Sequence, residues 1–231
     1  MLPTSPPLPD FPLTNLPSTI NYSLDSFYKI APNWFFAFYL CNFRIPIELI
    51  SELGLSALTT HNLSLKENTS EALMYKYFSG IDEVLTEVVD YYSSFDDGIR
   101  NTVSAKDISN VEKLRTYFND YATYYDNYYA LSTLMLQYEE LLHNVNTRDK
   151  ISLCITQRRN FVEELFRKAI EEGEIVDTFT PYELANNATG MLTTHILDRR
   201  ITYHKKTFKQ EFMENLDKWL DLLKCSKQEG E

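Results

Sequence analysis

Cysteine and glycine are scarce in this chain of 231 residues, and proline is confined almost entirely to its start. The three cysteines, Cys41, Cys154 and Cys225, include no CxxC pair. An odd, widely spaced set predicts neither a disulfide framework nor a structural zinc site, so a reducing compartment is expected. Only six glycines occur, and eight of the nine prolines lie at or before Pro46. With so few helix-breaking residues after Pro46, an all-α domain is expected there.

Positive charge and long apolar runs are also in short supply. The formal net charge is −11 and the pI about 4.9, which argues against an extended basic surface for nucleic acid. Any contact with DNA would have to be local. The apolar run from Trp34 to Phe43 is well short of the roughly 20 residues that span a bilayer as a helix. No membrane anchor is therefore expected.

Motifs for catalysis or metal binding are missing as well. The chain has no phosphate-binding GxxxxGK[ST] or GxGxxG and no recognisable nucleophile motif. Glu139-Glu140-x-x-His143 lacks the HExxH order of a zinc protease, and the other histidines have no partner at metal spacing. We expect no enzyme, no metal site and no cofactor.

What the sequence does contain is a pair of short helical patterns between Leu58 and Leu85. Thr59 is placed to begin the first, and Asn68-Thr69 interrupts the pattern. Ser70 is placed to cap the second. Apolar side chains then recur at helical spacing, at Leu73, Met74, Tyr77 and Phe78. This predicts a helix-turn-helix, the unit whose second helix enters the DNA major groove. Two ordinary helices inside an all-helical core remain the alternative.

Helical periodicity also predicts the elements on both sides of this unit. A first helix should run from Pro46 to a terminating Gly54. The next helix is expected at about 82–95 and should end at a break, Asp96-Asp97-Gly98. Another should start from a capping box at Ser104. Further helices are expected at about 128–142, 148–172, 180–199 and 207–223. The start at Thr180-Pro181-Tyr182-Glu183 is the clearest, with an N-cap, a proline and a glutamate in the preferred order.

Several of these residues together match a family pattern. An apolar helix, IELISELG, ends at Gly54, a threonine-led helix begins at Thr59, and Ser70 caps the next helix. Met74 to Phe78 then match a Leu-Tyr-x-Tyr-Phe signature. Far downstream, the run from Ala169 to Ile175, the Thr-Pro pair and Glu183-Leu-Ala fit the same pattern. The chain thus resembles the TetR/AcrR family of bacterial transcriptional regulators.

This resemblance implies an all-α protein with a helix-turn-helix unit joined to a C-terminal domain for effector binding and dimerisation. The expected segments are a disordered or loosely packed extension at 1–43, a DNA-binding domain at 44–92, a C-terminal domain at 93–225 and a disordered tail at 226–231. Whether the aromatic run 34–43 forms a buried helix stays open. The implied function is a homodimeric repressor in the bacterial cytoplasm, released from its double-stranded operator DNA by a small-molecule effector.

Three sets of site residues follow from the resemblance. The implied DNA-binding residues are Thr59, Ser70, Glu71, Leu73, Tyr75, Lys76 and Tyr77. The implied effector pocket is lined by Phe118, Tyr121, Tyr125, Tyr128 and Phe161, although the spacing of these aromatics is equally that of a buried helix face. The implied dimer interface contains Leu192, Ile196, Phe212, Leu216 and Trp219.

The chain departs from the family pattern where DNA would be contacted. Ile81 stands where the family has a lysine, and Ala72 where it has a glycine. Residues 44–92 hold three basic and eight acidic side chains, a formal balance of −5, whereas neutralisation of phosphates supplies much of the affinity for DNA. A second hypothesis is therefore a TetR-fold protein that binds a ligand or a partner protein and has lost DNA binding.

Overall fold

The computed structural model describes residues 44–202 and 206–224, with only the backbone described for Lys76 and Tyr77. The expectations for residues 1–43 and 226–231, including the aromatic run, lie outside these residues. Within the described ranges the secondary structure is helical, apart from a single antiparallel bridge between Ile175 and Lys224. The all-α fold class is confirmed.

Three short helices form the first unit. Helix α1 is described over residues 44–53 and is followed by a 3-10 turn at Leu55–Ala57, by α2 at Thr60–Lys66 and by α3 at Glu71–Tyr77. Gly54 closes α1 with a φ of 87°, a backbone conformation that a side chain would strain. The predicted end of the first helix is confirmed.

The remaining helices form the larger unit. They are α4 at Ile81–Ser104, α5 at Asn110–Asn127, α6 at Tyr129–Ser132, a 3-10 segment at Thr133–Gln137, α7 at Tyr138–His143, α8 at Arg148–Glu171, α9 at Pro181–Ile201 and α10 at Phe208–Leu223. Helices α4, α5 and α8 pack against one another, α9 packs on α8, and α10 packs on α5 and α9. Helix α4 belongs to both units, because it begins beside the helix-turn-helix and ends inside the larger core.

The starts of the last two helices are found where predicted. The Thr180 hydroxyl accepts a hydrogen bond from the Glu183 N–H, and the Glu183 carboxylate accepts one from the Thr180 N–H. Thr207 caps α10 in the same reciprocal way with Gln210. These capping boxes satisfy N–H groups that the first turn of a helix leaves free.

The predicted break at residues 96–98 is wrong. Helix α4 continues through Asp96, Asp97 and Gly98 to Ser104. Asp96 is 1% exposed, and its carboxylate forms an ion pair with Arg158 of α8 at 2.5 Å. A contact between residues 62 positions apart thus turns an apparent breaker into an interior helix residue.

The helix expected from Ser104 begins later, at Asn110, and its N-cap is Ser109. Glu174 reinforces this start, because its carboxylate accepts hydrogen bonds from the Asn110 N–H at 2.8 Å and the Val111 N–H at 2.9 Å. A negative charge at this end of a helix is stabilised by the helix dipole. Ser109-Asn-Val-Glu112 is a local signal for this start that the sequence reading missed, and Glu174 adds a contact from beyond α8.

The single helix expected at about 128–142 is divided into two short helices around the 3-10 segment. Tyr128 leaves the helical conformation with φ −130° and ψ 67°. Ser132 and Thr133 then donate their hydroxyls to the Tyr129 and Ala130 carbonyls. Such bonds from short polar side chains compete with regular helix.

Candidate functional site

Two side-chain caps and a tight turn hold the helix-turn-helix in place. The Thr59 hydroxyl accepts a hydrogen bond from the Asn62 N–H at 3.1 Å, and the Ser70 hydroxyl accepts one from the Leu73 N–H at 3.3 Å. Between them, Asn68 takes a φ of 51°, which asparagine tolerates better than most residues. Leu63 and Met74 are buried beneath the two helices. The local sequence therefore fixes both helix starts and the turn.

The outer face of α3 is open to solvent. Leu73 is 37% exposed and Tyr75 is 56% exposed, while Thr59, Ser70 and Glu71 are also exposed. The predicted residues Thr59, Ser70, Glu71, Leu73 and Tyr75 thus belong to one short surface segment. The side chains of Lys76 and Tyr77 lie outside the described part of the structure.

Carboxylates in this unit are hydrogen-bonded or ion-paired with many of its polar side chains. Glu71 accepts a hydrogen bond from the Thr60 hydroxyl at 3.2 Å and lies 3.0 Å from the His61 Nδ1 atom. Lys66 lies 2.8 Å from a Glu52 carboxylate oxygen. Arg44 is paired with Glu48 at 2.7 Å. Both basic side chains that are described between residues 44 and 92 therefore face an acidic partner already.

The interior of the larger unit contains a buried polar cluster, formed by Asp96, Arg158, Cys154 and the hydroxyls of Tyr92, Tyr121, Tyr125 and Tyr138. The Arg158 guanidinium contacts Asp96 through two nitrogens, Nε to Oδ2 at 2.5 Å and Nη2 to Oδ1 at 2.7 Å. Its Nη1 donates to the Tyr92 hydroxyl at 2.9 Å and to the Tyr138 hydroxyl at 2.5 Å. Four of the five N–H groups of this buried guanidinium thus have an acceptor among the described residues.

The cluster joins α4, α5, α7 and α8. Tyr121 donates to Asp96, and the Arg158 guanidinium carbon lies 4.8 Å from the Tyr92 ring centre and 5.1 Å from that of Tyr121. Burial raises the pKa of the Tyr92 and Tyr121 hydroxyls well above the usual value, only partly offset by the nearby Arg158 charge. These hydroxyls stay protonated at neutral pH and can therefore donate hydrogen bonds. Asp96 is the one carboxylate in the described cluster, and it accepts hydrogen bonds from Tyr121 and Arg158.

The cluster was missed in the sequence, although one signal for it exists. Cys154, Arg158 and Val162 follow one another four residues apart on α8, and all three are buried. A charged residue on an otherwise apolar stripe is rarely buried without a partner. The partner, Asp96, was read instead as part of a helix break.

The residues expected to line an effector pocket are packed against other core side chains. Phe118, Tyr121 and Tyr125 are between 0 and 2% exposed. Phe161 and Tyr128 are partly buried against the same core. Ring centres lie 5.8 Å apart for Phe118 and Phe212, and 5.1 Å apart for Tyr117 and Phe161. The five predicted residues therefore share one aromatic core, and whether they line a pocket remains a prediction.

The predicted dimer residues are mostly inside one protomer. Leu192, Ile196, Phe212 and Leu216 are at most 4% exposed, and Trp219 is partly buried. Most of the surface of these four side chains is covered by their own chain, and whether they also take part in a dimer interface remains a prediction. Their apolar spacing marks the face by which α9 and α10 pack on their own core.

Apart from Glu183 in the first turn and Arg200 in the last, the exposed residues of α9 are uncharged. Side chains at intervals of three or four residues form what we call the α9 stripe, which consists of Tyr182, Asn186, Gly190, Thr194, Leu197 and Ile201. Leu197 is 49% exposed and Ile201 is 76% exposed. Gly190 has open space around it, with no heavy atom within 4 Å of an added Cβ. The sequence signal for this surface is a row of uncharged residues that lies between the apolar positions. The prediction of the dimer interface used the apolar positions instead.

Cys154 should be unreactive in the folded protein. Its Sγ donates to the Asp96 Oδ2 at 2.9 Å, and burial raises the pKa of the thiol to about 12. At pH 8 the reactive thiolate is then about one molecule in ten thousand. In a Cys41→Ser/Cys225→Ser variant, a chromogenic disulfide reagent is expected to leave native protein unmodified at pH 8. Fast modification of the native protein would contradict the buried thiol, and guanidinium-unfolded protein provides the positive control.

No group of three or more His, Cys, Asp or Glu side chains in residues 44–202 and 206–224 is arranged to hold a metal ion. Within the same ranges, no helix is both long and apolar enough to cross a membrane.

Comparison of the fold with solved structures finds transcriptional regulators. The ketosteroid transcriptional regulator KstR2 of Mycobacterium tuberculosis superposes with a TM-score of 0.72 at 14% identity, covering 81% of this chain and 95% of that chain. The TetR family regulator PfmR of Thermus thermophilus gives 0.67 at 18% identity, covering 78% and 97%. AibR, solved with isovaleryl coenzyme A and operator DNA, gives 0.65 at 16% identity, covering 80% and 97%.

The sequence itself matches no family model and no curated protein. Sequence identity to these three regulators is below 20%, so the similarity rests on the shared architecture. This architecture extends over most of the chain in each comparison. The chain therefore has the all-α fold of the TetR/AcrR transcriptional regulators.

Proposed function

We propose that this protein is a homodimeric transcriptional repressor that binds operator DNA and is released from it by a small-molecule effector. The observation that carries the proposal is the capped helix-turn-helix, with the outer face of α3 exposed, within a chain of TetR/AcrR fold. A function of this kind places the protein in the bacterial cytoplasm. Residues 44–92 then form the DNA-binding domain and residues 93–225 the effector and dimer domain.

The exposed segment supplies groups suited to DNA. At the start of α3, Leu73 can touch a thymine methyl group and Glu71 can accept a hydrogen bond from cytosine N4. Hydroxyls of Thr59, Ser70 and Tyr75 can donate to phosphate oxygens, which fix the position of the protein on the duplex. Lys76 and Tyr77 complete the proposed contact set.

The α9 stripe is the proposed dimer surface. A two-fold interface brings the same patch of both subunits together, so an uncharged stripe with a small residue at its centre allows two α9 helices to approach closely. His195 of α9 and Asn215 of α10 are hydrogen-bonded at 3.0 Å, which ties the two helices of one protomer together. Four such helices in a dimer would place the two α3 helices about one DNA turn, roughly 34 Å, apart.

The excess of acidic side chains in residues 44–92 favours the second candidate function, that of a TetR-fold protein that binds a ligand or a partner protein and does not bind DNA. Three basic side chains face eight acidic ones in residues 44–92. Two of those three, Arg44 and Lys66, are already paired with glutamates. Breaking these pairs to reach phosphate would offset part of the gain from phosphate neutralisation.

Fluorescence anisotropy with labelled duplex from the region upstream of the gene separates the two functions. We expect Tyr75→Phe, which keeps the ring and removes the hydroxyl, to weaken binding about tenfold through two lost phosphate contacts per dimer.

Lys76→Gln should reduce the salt dependence of binding by about one unit of log–log slope per subunit. Lys106→Gln is the matched charge control, since Lys106 lies beyond the end of α4. Equal effects of the two lysine variants would contradict the assignment of α3 to DNA.

A further inference from the structure

A cleft of about 410 Å³ lies at the junction of the two units. One wall comes from the 3-10 turn ahead of α2, with Leu55 and Leu58, and another from the start of α4, with Ile81 and Leu85. The third wall is the end of α7, with Glu140, His143 and the following Asn144. The His143 Nδ1 atom lies 3.6 Å from a carboxylate oxygen of Glu139, outside the cleft. This volume lies within the roughly 300–1,000 Å³ range of small-molecule sites. The cleft is separate from the aromatic core to which an effector pocket was assigned above.

The cleft has an apolar floor. Leu58 is 6% exposed and Leu85 is 5% exposed, so both are held in place by the core. Leu55 and Ile81 are partly buried against the same core. An apolar body placed here would cover four hydrophobic side chains, at about 25 cal/mol for each Å² of apolar surface removed from water.

Two carboxylates at the rim determine which apolar molecules fit. Asp82 and Glu140 both line the cleft and are exposed. Within residues 44–202 and 206–224, neither carboxylate has a Lys, Arg or His nitrogen within 4.0 Å, whereas Glu48, Glu52 and Glu71 nearby in the chain all have one. The net charge of −11 adds a field that draws cations and repels anions.

We propose that this cleft binds a small amphipathic cation, with its apolar body on the four hydrophobic side chains and its positive charge between Asp82 and Glu140. The occupant is a low-molecular-weight amine or other organic cation, because the rim offers negative charge and the floor offers apolar surface. Binding here rests on the cleft alone, while its consequence for DNA rests on the proposed function.

The position of the cleft gives the ligand a route to regulation. On another side of the same junction, Arg200 of α9 donates to the Ser51 carbonyl at 2.9 Å, in the last turn of α1. A cation at a helix C-terminus is favourable, so this contact tethers the helix-turn-helix to α9. A ligand that touches both units favours whichever orientation closes the cleft around it, and it shifts the equilibrium by its difference in affinity for the two orientations.

Three probes with one apolar body test the charge preference. Isothermal titration of the full chain at pH 7 and low salt is expected to show 4-phenylbutylammonium binding about tenfold more tightly than 4-phenylbutanol, and 4-phenylbutanoate binding more weakly still. In an Asp82→Asn/Glu140→Gln variant the ammonium should bind only as well as the alcohol, whose affinity is unchanged. Asp107→Asn/Asp177→Asn is the matched control, because both carboxylates are exposed and neither lines the cleft.

A second variant locates the apolar part of the site. Ser56 is exposed at the mouth of the cleft, and Ser56→Trp should fill the space and abolish binding of all three probes. Retention of the charge preference in Asp82→Asn/Glu140→Gln, or of binding in Ser56→Trp, would overturn the proposal, as would failure of the ammonium to bind folded wild-type protein. DNA binding measured on the same samples without probe reports separately on the proposed function.

Discussion

Replacing Arg158 with methionine is expected to destabilise the folded chain by about 3–5 kcal/mol. Arg158 is 7% exposed and Asp96 is 1% exposed, so the substitution leaves a carboxylate buried without its cation. The hydroxyls of Tyr92 and Tyr138 also lose the guanidinium to which they are hydrogen-bonded. The cost is measured by urea unfolding followed by circular dichroism, as the change in unfolding free energy at a constant denaturant slope.

Two comparisons show whether the loss comes from an unpaired charge. Arg158→Met/Asp96→Leu removes both charges and should recover a large part of the lost stability, because apolar replacement of a buried pair is often neutral or better. Arg167→Met breaks the exposed pairs of Arg167 with Glu164 and Glu171 on the same helix and should change stability little. Equal losses for Arg158→Met and Arg167→Met would contradict the buried cluster.

Gly190→Arg is expected to convert the dimer to monomers at micromolar concentration. The substitution places a charge in the centre of the α9 stripe, and the two-fold axis of a dimer would bring two such charges close together. Burial of an unpaired charge costs several kcal/mol, which exceeds the effect of most interface residues. Sedimentation velocity measures the change directly.

Gly98→Arg is the matched control for this prediction. Gly98 and Gly190 both lie inside long helices, and neither has a heavy atom within 4 Å of an added Cβ. Replacement of glycine improves helix propensity by a similar amount at both sites. The control should remain dimeric. If the Gly190→Arg variant is still a dimer, the interface does not include the centre of the α9 stripe. If the wild-type protein is a monomer, the proposed dimer is excluded.

Local signals in the sequence predicted the parts of the fold that local hydrogen bonds create. Thr59, Ser70 and Thr180 cap the helices they were expected to cap, and Gly54 closes α1. In each of these starts a side chain bonds to a backbone N–H three residues away. This pattern is visible in four consecutive letters of sequence.

Contacts between distant residues explain what could not be predicted. Asp96 stays in α4 because Arg158 lies across from it, and Glu174 from beyond α8 reinforces the start of α5 at Asn110. The burial of the predicted dimer residues within their own chain was not predictable for a related reason. An apolar stripe on a last helix marks a buried face, but it does not say whether the face is buried by its own chain or by a partner.

The helices of the candidate site were predictable from the sequence, whereas its ion pairs were not. The helix-turn-helix was identified from its caps and apolar spacing, while the pairing of Lys66 with Glu52 is set by the approach of α2 to α1. The junction cleft left no signal, since its walls come from three segments separated by up to about 85 residues, from Leu55 to Glu140.

The salt dependence of binding to duplex from the upstream region tests the central claim most directly, that this TetR/AcrR-fold protein is a DNA-binding regulator. Anisotropy titrations from low to physiological salt should give a binding constant that falls with a log–log slope of about −4 or steeper, as expected when several phosphates are neutralised. An unrelated duplex of equal length should bind much more weakly at physiological salt. Protein that is folded and dimeric, yet shows no salt-sensitive binding to any upstream duplex, would contradict this claim and favour the ligand- or partner-binding alternative.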